Sequence, residues 1–338
     1  MAADLFGDAD LQRHCLATRI STYPEGLVDW LRQTPCEAWL YTGALENHPA
    51  LIDQLATVRP LLGNPGDVLR RVRDPMLLGK VLYEHGLPFP ETRTSSAGLP
   101  SDGSWLVKNY QGSSGTGVEE FTSAIGKSAY YQQLVTGTPC SAVFAGPRLL
   151  GITRQLVGES WTGADRFQYC GSIAPWSLNA AAENQLRRLG EVLTAEFGLL
   201  GLFGVDFIYD GQNPWTIEVN PRYSAAVEIV ERTQGINAID WHIGCSDGLS
   251  LPSSASAHHG KAILFAKRQT VISDELTRKF LKQSDLADIP QAGLQIPTGH
   301  PVLTVLATAE SDDRVIGALR DRIEEIEAVL PQLTSEKF

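Results

Sequence analysis

Apolar positions recur along this chain with two periods, and the alternation between them predicts an α/β protein. LVDWLRQT and HPALIDQLATV carry the three-to-four spacing of amphipathic helices, with the strand-like AWLYTG between them. Residues 1–75 therefore read as a small α/β unit of short elements. In DPMLLGKVLYEHGLPFPET an Asp-Pro start opens a helical stripe, Gly86 ends it, and Pro88 and Pro90 force an extended exit. WLVKN, VEEF, YYQQLV, LLGITRQLVG and FQYCGSIAPW then read as strands, and NAAAENQLRRLGEVLTAEFGL as a long helix capped by Asn179. GLFGVDFIYDGQNPWTIEVNPR is patterned as a hairpin turning at Asp210-Gly211. The tail shows one clear strand, GKAILFAKR, a polar middle and a closing amphipathic helix, DRVIGALRDRIEEIEAVL. There is no internal repeat or low-complexity segment.

Composition narrows the class. The 338 residues are 43% hydrophobic and 20% charged, enough apolar material for two or three compact units and too much for disorder. With 28 Lys and Arg against 39 Asp and Glu the formal net charge is −11, and no basic cluster offers a duplex a phosphate track, so a nucleic-acid partner is not expected. The acidic start MAADLFGDADLQ has no signal-peptide pattern, and no apolar run approaches the ~18 residues a membrane helix needs. A cytoplasmic protein without membrane partners is expected. The five cysteines are scattered, with neither disulfide nor CxxC spacing, and read as free thiols.

Two segments carry chemistry. In LVKNYQGSSGTGVEEF, Lys108 ends a strand and Gly112, Ser113, Ser114, Gly115 and Gly117 fill the loop before the next. Such a loop can turn backbone N–H groups around phosphate oxygens, because glycine admits close approach and positive φ. No GK[ST] follows and the next element is a strand, so it is neither a Walker loop nor a dinucleotide fingerprint. An ordinary hairpin loop is the competing reading. The second segment is the hairpin, where Asp206 lies on the first strand and Glu218 and Asn220 on the second, with Arg222 just beyond. Residues two apart share a strand face, and pairing across the turn brings Asp206 beside them. Three hard oxygen ligands with open positions suit Mg²⁺, and a planar guanidinium suits a phosphoryl group. A polar outer hairpin face is the alternative, but the flanking GLFGVDFIY and WTIEVN are too apolar for a fully solvated strand pair.

Over about residues 70–245 the chain resembles the ATP-grasp superfamily of carboxylate–amine ligases. WLVKNYQGSSGTGV is similar to that family's strand, lysine and glycine loop, YYQQLVTG to its adenine hinge, and GVDFIYDG…PWTIEVNPR to its metal-binding hairpin. The resemblance implies an α/β fold with α+β lobes clamping ATP behind a leading α/β domain, in three consecutive parts: 1–75, 76–135 and 136–338. It implies ATP and Mg²⁺ or Mn²⁺, two ions, as cofactors. Lys80 would approach the α-phosphate and Lys108 bridge the α- and β-phosphates. Gly112, Ser113, Ser114, Gly115 and Gly117 would cover the β- and γ-phosphates, and the Gln133 carbonyl and Val135 N–H would read the adenine edge. Asp206, Glu218 and Asn220 would hold the metal, and Arg222 would contact the γ-phosphate or the acyl phosphate.

The implied reaction is phosphorylation of a carboxylate by ATP, followed by displacement of phosphate from the acyl phosphate by an amine. Lys108 and Arg222 are the residues expected to serve catalysis directly. The chain departs from the family where an acidic ribose ligand is usual, since Thr138-Pro139-Cys140-Ser141 stands there. The leading domain also opens abruptly, so its start is trimmed or the domain is reduced. LFGDADL, GITRQ, FQYCGSIAP and GVDFI…EVNPR are similar to a branch of predicted ATP-dependent carboligases linked to C1-carrier cofactors of the tetrahydromethanopterin and methanofuran type. That suggests joining an amino acid such as glutamate to an amine of such a cofactor. Alternatives are an ATP-grasp carboxylase, a purine-type synthetase, or a non-catalytic nucleotide-binding module. Arg154, Arg166, Tyr169 and Lys267 are candidates for holding a substrate carboxylate, Tyr223 to Ala226 for lining the acceptor pocket. A homodimer is the expected assembly.

Overall fold

A computed structural model describes residues 1–112, 115–122, 129–244 and 257–331. The chain divides into two compact units, each assembled from separate stretches: Pro35–Gln155 with Ala174–Ala255, and Met1–Thr34 with Leu156–Ile173 and Ser256–Phe338. Neither coincides with the consecutive parts expected at 1–75, 76–135 and 136–338. The first 34 residues group with the tail because their polar atoms are satisfied there: the Ala9 N–H donates to the Ile289 carbonyl, and the Asp10 carboxylate accepts from the Asp288 and Ile289 N–H groups.

In the first of these units the strands Pro214–Asn220, Leu202–Tyr209, Thr138–Ala145 and Arg148–Val157 lie side by side in that order, antiparallel throughout. Period-two alternation sorts their side chains onto two faces. One face presents Cys140, Ala142, Phe144, Phe203, Val205 and Phe207, all buried against the helix Ala180–Phe197 through Leu186, Leu189, Leu193 and Phe197. That helix starts as its sequence predicts, with the Asn179 carboxamide accepting from the Ala182 N–H at 2.8 Å, and ends at Gly198 in the left-handed region. The other face is apolar at one end only, where Val143, Leu150 and Leu202 pack under the helices Val227–Gln234 and Ala238–His242. At its other end the same alternation presents Ser141 and Asp206, paired in register, with Thr153 opposite Ser141.

A smaller antiparallel sheet in this unit has the order Thr92–Arg93, Ala129–Gln133, Trp105–Asn109, Val118–Glu120. Trp105, Val107 and Tyr131 fill one side with Phe121, which leaves Lys108 on the opposite side. The predicted helix over DPMLLGKVLYE runs Pro75–Glu84, with the Asp74 carboxylate accepting from the Met76 and Leu77 N–H groups. AWLYTG forms no strand. It makes isolated bridges only, Trp39 to Leu61 and Thr42 to Tyr223, and then turns into the 3₁₀ helix Gly43–Asn47. Its aromatic side chains instead bond backbone carbonyls 20 and 23 residues on, Trp39 donating to the Arg59 carbonyl and Tyr41 to the Asn64 carbonyl.

The other unit has its own core around Ile173, Leu264, Phe280, Val305 and Leu319. Its strands run Tyr169–Ala174, His258–Phe265, Pro301–Ala309 and Leu286–Ala287, next to the helix Asp312–Val329. The strand Pro301–Ala309 falls in the stretch that reads as polar. Its Thr304 is buried, and the hydroxyl is satisfied by Asp288 at 2.6 Å, so a polar letter occupies a core position. Among the described residues no helix is long and apolar enough to cross a membrane.

Candidate active site

The hairpin supplies the acids. Its turn is clamped by Asp210, whose carboxylate accepts from the Gln212 and Asn213 N–H groups and from the Trp215 indole, each at 2.7 Å. Those hydrogen bonds hold the Asp210 carboxyl down at about 2, and Gly211 takes the positive φ the turn requires. Asp206 and Glu218 stand opposite each other, and the register then shifts so that Phe207 faces Thr216. The extra residue, Ile217, is a bulge that lets both flanking runs keep their buried side chains while the two carboxylates share a face.

Asp206 lies in a dense polar set. One carboxylate oxygen accepts from Gln155 Nε2 at 2.9 Å and the other from Asn220 Nδ2 at 3.0 Å. Burial and then the Glu218 charge push its carboxyl up to about 6, with Ser141, Arg222 and Gln155 opposing. Lys108 reaches the same place from the smaller sheet. Its ammonium donates to Gln132 Oε1 at 2.5 Å; burial pushes it down to about 8, with Glu218 and Asp206 opposing. Asp206 thus holds a negative charge that its burial disfavours, with the part-exposed Glu218 beside it, and Lys108 is a cation short of solvation facing both.

Arg222 is drawn into a second layer. Its Nη2 lies 2.6 Å from Glu46 Oε1 and 3.3 Å from Asn220 Oδ1. Burial works against its charge, but Glu46, Glu218 and Asp206 together more than offset this. Arg73 bridges onward: its Nη1 is 3.2 Å from Glu218 Oε1 and 3.8 Å from Glu46 Oε1, and its Nη2 donates to Asn47 Oδ1 at 2.8 Å. Buried Asn64 ties the surroundings together by donating to the Leu200 and Pro221 carbonyls and accepting from the Leu200 N–H.

The structure therefore brings Lys108, Asp206, Glu218, Asn220 and Arg222 together. It does not bring Lys80 into that set: Lys80 lies on the exposed face of its helix, 3.9 Å from Glu84 one turn on. Gly115 and Gly117 both adopt positive φ, and a Cβ on Gly112 would meet the Thr116 carbonyl at 2.7 Å, so these glycines are required by the loop backbone. Ser113 and Ser114 lie outside the described residues. At the hinge, the Gln133 and Leu134 N–H groups are taken by the Glu91 and Ser104 carbonyls, while the Val135 N–H has no partner among the described residues. Arg154 belongs to the sheet face opposite Gln155, with its guanidinium over the Trp176 ring. Lys267 pairs with Glu327 at 2.7 Å.

Sequence reasoning missed Glu46, Arg73, Asn47, Gln132 and Gln155. Gln155 carried a usable signal, a polar residue in the otherwise apolar strand GITRQLVG, of the kind that singled out Asp206.

Among the described residues no three or more His, Cys, Asp and Glu side chains cluster as metal ligands. The donor set here is two carboxylates and an amide, which fits Mg²⁺ with open positions: the ion favours few protein ligands, and it would relieve the charge that raises the Asp206 carboxyl.

Residues 72–226 match the family model described as the ATP-grasp domain. An uncharacterised protein of Methanocaldococcus jannaschii is 25% identical over 196 residues, 58% of this chain and 46% of that protein. A formate-dependent phosphoribosylglycinamide formyltransferase of Cupriavidus taiwanensis is 28% identical over 108 residues, 31% of this chain and 27% of that protein. The chain thus spans less than half the length of these curated relatives. Among solved structures, carboxyaminoimidazole ribonucleotide synthase of Aspergillus clavatus complexed with ATP superposes with a TM-score of 0.68 at 13% identity, covering 96% of this chain and 98% of that one.

Proposed function

With an ATP-grasp domain at residues 72–226 and the ATP-grasp fold as premise, we propose that this chain is an ATP-dependent carboxylate–amine ligase working through an acyl phosphate. The convergence of buried Lys108 and buried Asp206 with Glu218, whose charge bears on both, carries this reading. In the proposed reaction a substrate carboxylate oxygen bonds to the γ-phosphorus, the bond to the β–γ bridging oxygen breaks, and ADP leaves. An amine then attacks the acyl carbon and phosphate departs.

Asp206, Glu218 and the Asn220 amide would hold Mg²⁺, one ion or two, which when bound neutralises phosphate charge. Lys108 holds an ammonium against the α- and β-phosphates, and its partner Gln132 keeps it pointed there. Arg222, fixed by Glu46, presents its planar fork to the transferred phosphoryl group. Gly112, Gly115 and Gly117 shape a loop whose amides can face phosphate oxygens, and the Val135 N–H, without a backbone partner among the described residues, supports the adenine-hinge assignment. Lys80 would join the α-phosphate only by leaving Glu84. No protein nucleophile is needed; catalysis is positioning and charge stabilisation.

An ADP-release screen over carboxylate and amine pairs, with mass detection of the joined product, tests the proposal. Glutamate with the amine of a C1-carrier cofactor is the first pair to try, on the resemblance of LFGDADL, GITRQ and FQYCGSIAP given above. Product formation with Mg²⁺ that stops in EDTA is expected. Bicarbonate-dependent ADP release without amide product would instead make the chain a carboxylase. ATP binding with no ADP release on any pair would make it a nucleotide-binding module.

A further inference from the structure

We propose that Arg73 is the resident counter-ion of Glu218 in the Asp206–Glu218 pair, exchanged for a divalent cation when one arrives, and that Glu46 is the carboxylate that receives it. The inference rests on the reading of Asp206 and Glu218 as metal ligands. Arg73 stands between two carboxylates of different character. It is bonded to Glu218, whose side chain is 41% exposed, at 3.2 Å, and only loosely paired, at 3.8 Å, with Glu46, which is 1% exposed. The buried partner has acceptor capacity to spare: Glu46 Oε1 is engaged by Arg222 at 2.6 Å, while Oε2 is buried and has no hydrogen-bond partner among the described residues. A buried acceptor without a donor is costly, and a guanidinium carries five donors in a planar fork.

Charge balance gives the direction. Arg73, Arg222 and Lys108 are three cations facing the three carboxylates Glu46, Asp206 and Glu218, so the set sums to 3 − 3 = 0 without a metal. A divalent ion at Asp206 and Glu218 makes Arg73 surplus there and repels it. Glu46, which Arg73 already approaches at 3.8 Å, carries the uncompensated acceptor Oε2, so arrival of the ion and movement of Arg73 favour each other. The bound ion gains only the difference between the two placements of Arg73. Arg73 is thus a positioning residue: it occupies the Glu218 carboxylate without a metal, and its release completes the buried arginine–glutamate set that fixes Arg222.

The test is Mn²⁺ binding to the protein without nucleotide or turnover, followed by the electron paramagnetic signal of free Mn²⁺. Arg73→Met removes the competing cation and should tighten Mn²⁺ binding about three- to tenfold, the range expected for a half-buried ion pair. Arg73→Lys keeps the charge and should stay near wild type. Glu46→Gln weakens the receiving carboxylate, so Mn²⁺ should bind several-fold more weakly. In the double variant Arg73→Met/Glu46→Gln that penalty should vanish, because no arginine is left to receive. Unchanged or weaker Mn²⁺ binding in Arg73→Met with a wild-type circular dichroism spectrum overturns the proposal, as does a Glu46→Gln penalty that survives in the double variant. Should Arg73→Met fail to fold, Mn²⁺ affinity in Glu46→Gln equal to or above wild type overturns it. If Asp206→Asn binds Mn²⁺ as well as wild type, the metal assignment itself is wrong and this inference falls with it.

Discussion

Replacing Asp206 with asparagine should change stability with a pH dependence that reports the burial of this one charge. The Asp206 carboxyl sits at about 6, against 3.8 for an unperturbed aspartate. At 1.36 kcal/mol per pH unit, keeping it ionised in the native protein therefore costs about 3 kcal/mol at pH 8. The sign follows from the raised value. Below pH 3.8 both states hold the proton and no penalty exists; between 3.8 and 6 only the native state holds it, so stability falls as pH rises. Asparagine never carries the charge and escapes this loss. It has a pH-independent defect of its own: only one acceptor oxygen meets the two donors Gln155 Nε2 and Asn220 Nδ2, so an amide faces an amide at a cost of about 1–3 kcal/mol. Urea unfolding in EDTA from pH 4.5 to 8 separates the two. The stability of Asp206→Asn relative to wild type should rise by about 2 kcal/mol from pH 4.5 to 6 and stay level above. A difference constant across that range, or one that favours the variant more at acid pH, would refute the reasoning.

Lys108, held down at about 8, loses its charge above that pH, and nucleotide phosphates should restore it. Nucleotide binding at pH 8.5 should therefore take up protons and weaken as pH rises further; calorimetry in two buffers of different ionisation enthalpy would show it, and Lys108→Met should abolish it. Asn64, itself fully buried, donates to the Leu200 and Pro221 carbonyls and accepts from the Leu200 N–H; Asn64→Ala removes all three bonds and should cost about 2–4 kcal/mol in urea unfolding. A loss under about 1 kcal/mol would contradict that accounting. Two helix glycines should respond oppositely to alanine. At Gly190 a Cβ would lie 2.7 Å from the Phe144 ring and the Pro147 carbonyl, so Gly190→Ala should lower stability by about 1–3 kcal/mol. At Gly317 a Cβ meets nothing within 4 Å, and Gly317→Ala should raise stability by about 0.5–1 kcal/mol; melting temperatures check both signs.

Legibility in the sequence tracked chain distance. The hairpin, its turn and its acids were readable because Asp206, Asp210, Glu218 and Asn220 lie within fifteen residues and strand pairing alone brings them together. The Asn179 and Asp74 caps were readable for the same reason, since each bonds N–H groups two or three residues on. Glu46 was not readable. In GALENHP it looks like a solvated acid, and only the bridge from Thr42 to Tyr223 carries it to Arg222. Arg73 looks like an unremarkable residue before a helix cap, yet it contacts Glu218, 145 residues away. AWLYTG and PVLTVLATA misled in opposite directions. The aromatic run found backbone carbonyls 20 and 23 residues on in place of a sheet, and the threonine-bearing run found a carboxylate partner, Asp288, for its buried hydroxyl.

Local sequence by itself determined the strand alternation that puts Asp206 and Lys108 on faces opposite their apolar neighbours, the turn that pairs Asp206 with Glu218, and the glycines of the loop. These depend on backbone geometry over a few residues and need no knowledge of the rest of the chain. Tertiary structure alone decided which cation meets which acid. Lys80, Arg73, Arg154 and Arg222 are equivalent as letters, but folding leaves Lys80 on an exposed helix face and Arg154 behind the sheet, and seats Arg73 and Arg222 around Glu46. A charge acquires its role from burial and from the neighbours that compensate it, and both are set only when distant segments pack.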